Sequence, residues 1–81
     1  MLVTIKYFAS IREAIGCASE QRETAVTTLA ELRDELAADA SHASLAKSRP
    51  VRMALNQVMS METALLLPGC EVAFFPPVTG G

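Results

Sequence analysis

The chain has 81 residues, 51% of them hydrophobic and 20% charged, with a formal net charge of -2, three Phe and one Tyr. That size allows one domain with one core, and the composition is globular rather than disordered. A slightly acidic chain with so few rings lacks the basic, stacking surface of a nucleic-acid binder.

Met1-Leu2-Val3-Thr4-Ile5-Lys6 carries neither the basic flank nor the cleavage pattern of a secretory signal, so a cytoplasmic location is expected. Residues 2–8 alternate as a strand, with Val3, Ile5 and Tyr7 on one face and Thr4, Lys6 and Phe8 on the other. The first set is candidate core, and Phe8 is an aromatic on the polar side. Ser10-Ile11-Arg12-Glu13 fits a capping box with Ser10 as N-cap. It opens a short helix that stops at Gly16, a residue suited to a left-handed helix end. Residues 18–25 are polar and read as a second, partly exposed strand. Thr28-Leu29-Ala30-Glu31 is another capping box and starts the main helix, in which Leu29, Leu32 and Leu36 recur at helical spacing and should face a sheet. Glu31, Arg33, Asp34 and Glu35 lie off that stripe. They read as a solvated face rather than an acid–base centre, since no cleft-forming or metal-binding neighbours accompany them.

Residues 39–50 read as an Ala- and Ser-rich loop closed by Pro50, with His42 solvated within it. Val51-Arg52-Met53-Ala54-Leu55 alternates as a third strand. Asn56-Gln57 makes a tight turn, and residues 58–61 return. Ala64 to Pro68 is the longest strictly apolar run and is far too short to span a bilayer. Pro68-Gly69 turns into a last strand, where Val72 and Phe74 share one face and Ala73 and Phe75 the other. Cys17 and Cys70 sit in no CxxC spacing and read as small, semi-buried hydrophobes. No phosphate loop, metal cluster or nucleophile–base pair stands out. No bound cofactor or metal, and no catalysis by the chain itself, is therefore expected. One long helix on a mixed sheet is an α+β order.

The sequence closes on Pro76-Pro77-Val78-Thr79-Gly80-Gly81. The prolines lack the N–H that a ladder needs and so end the strand, and the glycines carry no Cβ. Six extended residues reach roughly 20 Å. The reading is a domain over residues 1–75 and a flexible tail over residues 76–81, tipped by an unhindered carboxylate.

This order, with its closing Gly-Gly, resembles the β-grasp, or ubiquitin-like, fold: a mixed sheet packed on one main helix, with a protruding tail. Within that fold the chain resembles the small, sulfur-carrying subunits of molybdopterin synthase. Three stretches carry the resemblance: Glu71-Val72-Ala73-Phe74-Phe75-Pro76-Pro77-Val78-Thr79-Gly80-Gly81, Phe8-Ala9-Ser10-Ile11-Arg12-Glu13 with Gly16, and Ala54-Leu55-Asn56-Gln57. One departure is the turn Pro68-Gly69-Cys70-Glu71, which keeps Glu71 but lacks a neighbouring acid usual in that family.

The resemblance implies a non-catalytic carrier whose Gly81 is adenylated with ATP and converted to a thiocarboxylate. Gly81 then gives its sulfur to cyclic pyranopterin monophosphate in molybdenum-cofactor synthesis. Gly80, Thr79, Val78, Pro77 and Pro76 would enter the partner's pocket. The implied partners are the large synthase subunit, in a heterotetramer with two copies of each chain, and an adenylyltransferase of the ubiquitin-activating type. Phe75, Phe8 and Met59 would form an exposed interface patch beside the tail, the alternative being that the phenylalanines tuck under residues 62–67. Arg12 would touch a partner, or else pair with Glu13 or Glu71. Rival readings are a sulfur carrier of the thiazole or tRNA-thiolation type, a ubiquitin-like modifier joined through Gly81 to lysines, and a passive interaction module.

Overall fold

Alternating Val3, Ile5 and Tyr7 build the central strand of the molecule. The structure, a computed structural model, describes residues 1–77. In chain order it contains β1 (Leu2–Tyr7), α1 (Ala9–Ile15), β2 (Ser19–Glu23), α2 (Leu29–Ala37), a 3-10 helix (Ala40–Leu45), β3 (Arg52–Leu55), β4 (Val58–Met59) and β5 (Glu71–Phe75). The five strands form one sheet in the order β2-β1-β5-β3-β4. Its central pair, β1 and β5, is parallel, with Thr4 opposite Glu71 and Tyr7 opposite Phe74. The β1–β2, β3–β4 and β3–β5 pairs are antiparallel. First and last strands side by side, with one main helix packed on one face, is the β-grasp arrangement.

Period two and period 3.6 meet in the core. Val3, Ile5, Tyr7, Val72 and Phe74 form one buried cluster with Leu29, Leu32 and Leu36 of α2 and with Leu45 and Leu66. Each fully buried leucine contributes roughly 1.5–3 kcal/mol through water exclusion. The capping box at Thr28 is complete: its hydroxyl accepts the Glu31 N–H, and Glu31 Oε1 accepts the Thr28 N–H, both at 3.2 Å. Asn56 (φ 48°) and Gln57 (φ 68°) supply the two positive φ values that a tight hairpin turn demands. Gly16 ends α1 at φ 93°.

Four expectations are corrected. The first helix is capped by Phe8, not Ser10, and Phe8 makes no side-chain cap bond. Here the sheet overrides the local signal. The Phe8 N–H donates to the Phe74 carbonyl (3.1 Å), while the Phe8 carbonyl accepts the Ile11 and Arg12 N–H groups (3.2 and 3.3 Å). The strand thus passes directly into the helix, bending at Ala9 with φ 51°. The return strand is only Val58–Met59.

Residues 39–50 are not all loop, and His42 is only 8% exposed. The 3-10 segment kinks at His42 (φ -109°, ψ 25°), and both His42 and Leu45 are buried. The His42 ring meets Tyr7 edge-on at 5.8 Å.

Arg33 is no surface residue but is 5% exposed. Its Nε donates to the Leu45 carbonyl (2.7 Å), and its Nη2 donates to the carbonyls of Ala46 (2.8 Å) and Arg49 (2.5 Å). Its Nη1 pairs with Glu62 at 3.2 Å. Residues 45–49 run outside the sheet, so their carbonyls need donors from elsewhere. The guanidinium supplies them. Glu35, also off the leucine stripe, accepts from Thr24 Oγ1 (2.8 Å) and Arg22 Nε (3.0 Å), tying α2 to β2.

Replacing Arg33 with Met should cost on the order of 3 kcal/mol in urea unfolding, because it strands buried acceptors. A loss below about 1 kcal/mol would mean that water satisfies those carbonyls. The Thr24 hydroxyl, and after it Arg22, hold the Glu35 carboxyl below the usual glutamate range against the opposing effect of burial. A lowered folded-state value stabilises fully above the unfolded value of about 4.3 and loses its effect as pH falls. Glu35→Gln should therefore be less stable than wild type at neutral pH. The two unfolding curves should converge as the pH drops below about 4.

Candidate functional site

Strand parity decides what the open face of the sheet presents. Val72 and Phe74 point into the core, so Glu71, Ala73 and Phe75 point away from it. Cross-strand partners share a face. Lys6 and Ala54 therefore flank Ala73, Met59 lies beyond Ala54, and Arg52 lies opposite Phe75. The two alanines make a low floor. Phe8 and Phe75 stand beside it, edge to face, with ring centroids 6.4 Å apart and planes at 84°.

Phe8 is 46% exposed and Met59 54%, while Phe75 is half-buried. Neither phenylalanine belongs to the core cluster. Lys6 and Glu71 form an ion pair across the face at 3.3 Å. The Asn56 turn is tied to the same strand: Asn56 Oδ1 accepts the Glu71 N–H (2.9 Å), and the Glu71 carbonyl accepts the Asn56 N–H (2.8 Å).

Pro76 and Pro77 follow β5 and are half-buried. Two grooves meet there and share Pro50 and Pro77 as walls. One, of about 520 Å³, is lined by Val51, Arg52, Met53, Met59 and Met61 among others. The second, of about 350 Å³, is lined by Ser10, Ile11, Ala14, Ser44, Arg49 and Pro76 besides. Nothing in the sequence announced these grooves, since their walls come from four separate segments. Arg12 is exposed on α1 and makes no ion pair among the described residues, with Glu13 or with Glu71. Val78, Thr79, Gly80 and Gly81, expected to enter a partner's pocket, lie outside the described residues.

The thiols are placed against reactivity. Both are free; Cys70 is buried and Cys17 half-buried. The turn position that lacks the usual acid thus holds a core side chain. Desolvation, and then Glu20, push the Cys17 thiol up, and its Sγ donates to Glu20 Oε2 at 3.6 Å. A thiol held neutral is a poor nucleophile and a poor metal ligand. Burial and then Glu20 likewise raise Tyr7 above the ordinary tyrosine range. His42 Nε2 lies 3.5 Å from Glu20 Oε2. These groups sit beneath the β1–β2 edge rather than in either groove. Among the described residues the site is a surface, with β5 ending beside it at Pro76 and Pro77.

Comparison with known proteins places this geometry. A family model described as the ThiS family matches residues 5–81. The molybdopterin synthase sulfur carrier subunit of Escherichia coli (strain K12) is 35% identical over 81 residues, covering 99% of this chain and 100% of the relative. A solved complex of subunits 1 and 2 of molybdopterin-converting factor from Helicobacter pylori 26695 contains a chain with a TM-score of 0.71 at 24% identity, with 100% of both chains covered. The small archaeal modifier protein 1 of Haloferax volcanii gives a TM-score of 0.77 at 21% identity, covering 95% of this chain and 98% of its own. At those identities the two structures share the fold with this chain, and the fold alone does not separate a carrier from a modifier.

Phe8→Ala and Phe75→Ala, made singly and together, should show a coupling of about 0.5–1.5 kcal/mol in unfolding free energy. Strict additivity would mean that the edge-to-face contact contributes nothing.

Proposed function

The chain belongs to the ThiS family, and on that premise we propose that it is the sulfur carrier of molybdenum-cofactor synthesis, bearing sulfur as a thiocarboxylate on Gly81. The observation that carries this reading is the end-to-end match to a molybdopterin synthase sulfur carrier subunit. The fold is common to carriers and modifiers, so that match is what favours the molybdopterin branch over the thiazole, tRNA-thiolation and modifier readings.

A carboxylate is a poor electrophile until one oxygen becomes a leaving group. An adenylyltransferase of the ubiquitin-activating type supplies this by joining the Gly81 carboxylate to AMP from ATP, releasing pyrophosphate. A sulfur nucleophile then displaces AMP and leaves the thiocarboxylate. That terminal sulfur is itself a nucleophile, delivered to cyclic pyranopterin monophosphate in the large synthase subunit. Gly80 leaves the channel clear of a Cβ, and Thr79 and Val78 line the rest of the inserted segment. Pro76 and Pro77, seated between the two grooves, set the direction in which the tail leaves the domain.

Phe8, Phe75, Met59 and the alanine floor provide an apolar docking face beside that exit, and Arg12 adds a charged contact at its edge. The chain contributes no catalytic group: Cys70 is buried and the Cys17 thiol is held neutral, and ATP and catalysis belong to its partners. It works in the cytoplasm as part of a heterotetramer of two small and two large subunits.

The test is mass spectrometry of the C-terminal peptide from protein made with its activating enzyme. Fragment ions should place an oxygen-to-sulfur replacement on Gly81, distinct from oxidation of any of the four methionines. Unmodified Gly81 beside an active activating enzyme overturns the carrier reading, as would high-mass conjugates that vanish when Gly81 is deleted. Phe75→Asp should weaken large-subunit binding about tenfold or more with the fold intact; unchanged affinity removes Phe75 from the interface.

A further inference from the structure

The charges of this chain are unevenly used. Nine acidic residues face seven basic ones. Lys6 pairs with Glu71, Arg22 with Glu35 and Arg33 with Glu62. Arg12, Lys47, Arg49 and Arg52 form no ion pair among the described residues, and all four are exposed.

These cations share one region. Arg49 lines the groove formed with Ser10, Ala14 and Pro76, and Arg52 lines the groove on the other side of Pro77. Arg12 stands on α1 next to Ile11 of the first groove, and Lys47 precedes Arg49 in the same segment. Six of the acids belong instead to β2 (Glu20, Glu23), to α2 (Glu31, Asp34, Glu35) or to Asp39 at the start of the 3-10 helix. Of the remaining three, Glu71 is held by Lys6, and Glu13 is exposed on α1 beside Arg12. Glu62, the one carboxylate among the described residues lining either groove, is taken by buried Arg33. Arg33 also grips the carbonyls of residues 45, 46 and 49. It therefore fixes the segment that carries Arg49 and engages the carboxylate that lines the same groove as Arg52.

We propose that Arg49 and Arg52, with Arg12, form a cationic collar around the root of the tail that docks on an acidic rim of the protein pocket receiving the tail. The proposal rests on the carrier reading above. A pocket that accepts an anionic tip must offer positive charge at its floor. Carboxylates for the collar therefore belong at the mouth, away from that floor. Guanidinium forks suit this task because they bind carboxylates through two parallel N–H donors and stay charged at any working pH. Exposed charges of this kind act on encounter more than on residence.

The test measures association of the full chain with the large synthase subunit, at low and at raised ionic strength. Wild-type association should slow as salt increases. The R49E/R52E chain should associate about tenfold more slowly at low salt, with a flattened salt dependence and a dissociation rate much less affected. R49K/R52K should keep most of the wild-type rate. Circular dichroism and the thermal midpoint should be unchanged in both, since neither side chain has a partner among the described residues, and R49Q/R52Q serves if reversal disturbs folding. Equal rates and salt slopes for wild-type and reversed chains overturn the collar while leaving the carrier reading standing. A slowing confined to dissociation also overturns it. Failure of the wild-type chain to bind the large subunit at all overturns the carrier reading, and the collar with it.

Discussion

The parallel pairing of β1 with β5 is the constraint on which everything else depends. It joins the two ends of the sequence, bracketed by the Thr4 N–H on the Cys70 carbonyl and the Phe8 N–H on the Phe74 carbonyl. A slip of one residue would turn Phe75 into the core and Phe74 out of it. With the register fixed, Phe8 and Phe75 come together, the open face acquires its alanine floor, and the chain leaves the sheet beside α1. The same ladder sets where α1 begins, because Phe8, just after β1, donates its N–H to the Phe74 carbonyl while its own carbonyl accepts the first helical N–H groups.

What was legible in the sequence was local. Period-two alternation in β1 and β5, the Thr28–Glu31 box, the leucine stripe of α2 and the Asn56-Gln57 turn are each written within a few residues, and each forms as read. The misreadings share one cause, which is competition from distant partners. Ser10 and Glu13 have capping-box spacing, yet the sheet claims the helix start. Arg33 looks like any surface arginine until residues 45–49 pass beside it with unmet carbonyls. His42 sits in a stretch of alanine and serine, and its burial against Tyr7 depends on a strand far away in sequence. The proximity of Phe8 and Phe75 was legible, but only by way of the family resemblance. The grooves at Pro77 were not, since no window of sequence contains their walls.

The interior and the open surface divide labour along lines set by solvation. Beneath the β1–β2 edge, burial and then Glu20 disfavour ionisation of the Tyr7 phenol and the Cys17 thiol. A buried region that keeps its nucleophiles protonated packs well and reacts poorly. The open face bears the rings of Phe8 and Phe75, Met59 and the exposed Arg52, a surface suited to meeting another protein.

A sheet with an uncovered apolar face invites another sheet to extend it. Its two borders answer that hazard differently. At one, β2 carries Glu20, Arg22 and Glu23 in a single run of five residues; at the other, β4 is two residues long. Charge on one border and brevity on the other deny a second copy the continuous row of free amides that strand-by-strand stacking needs. The sticky face can then wait for its intended counterpart without the chains polymerising edge to edge in the meantime.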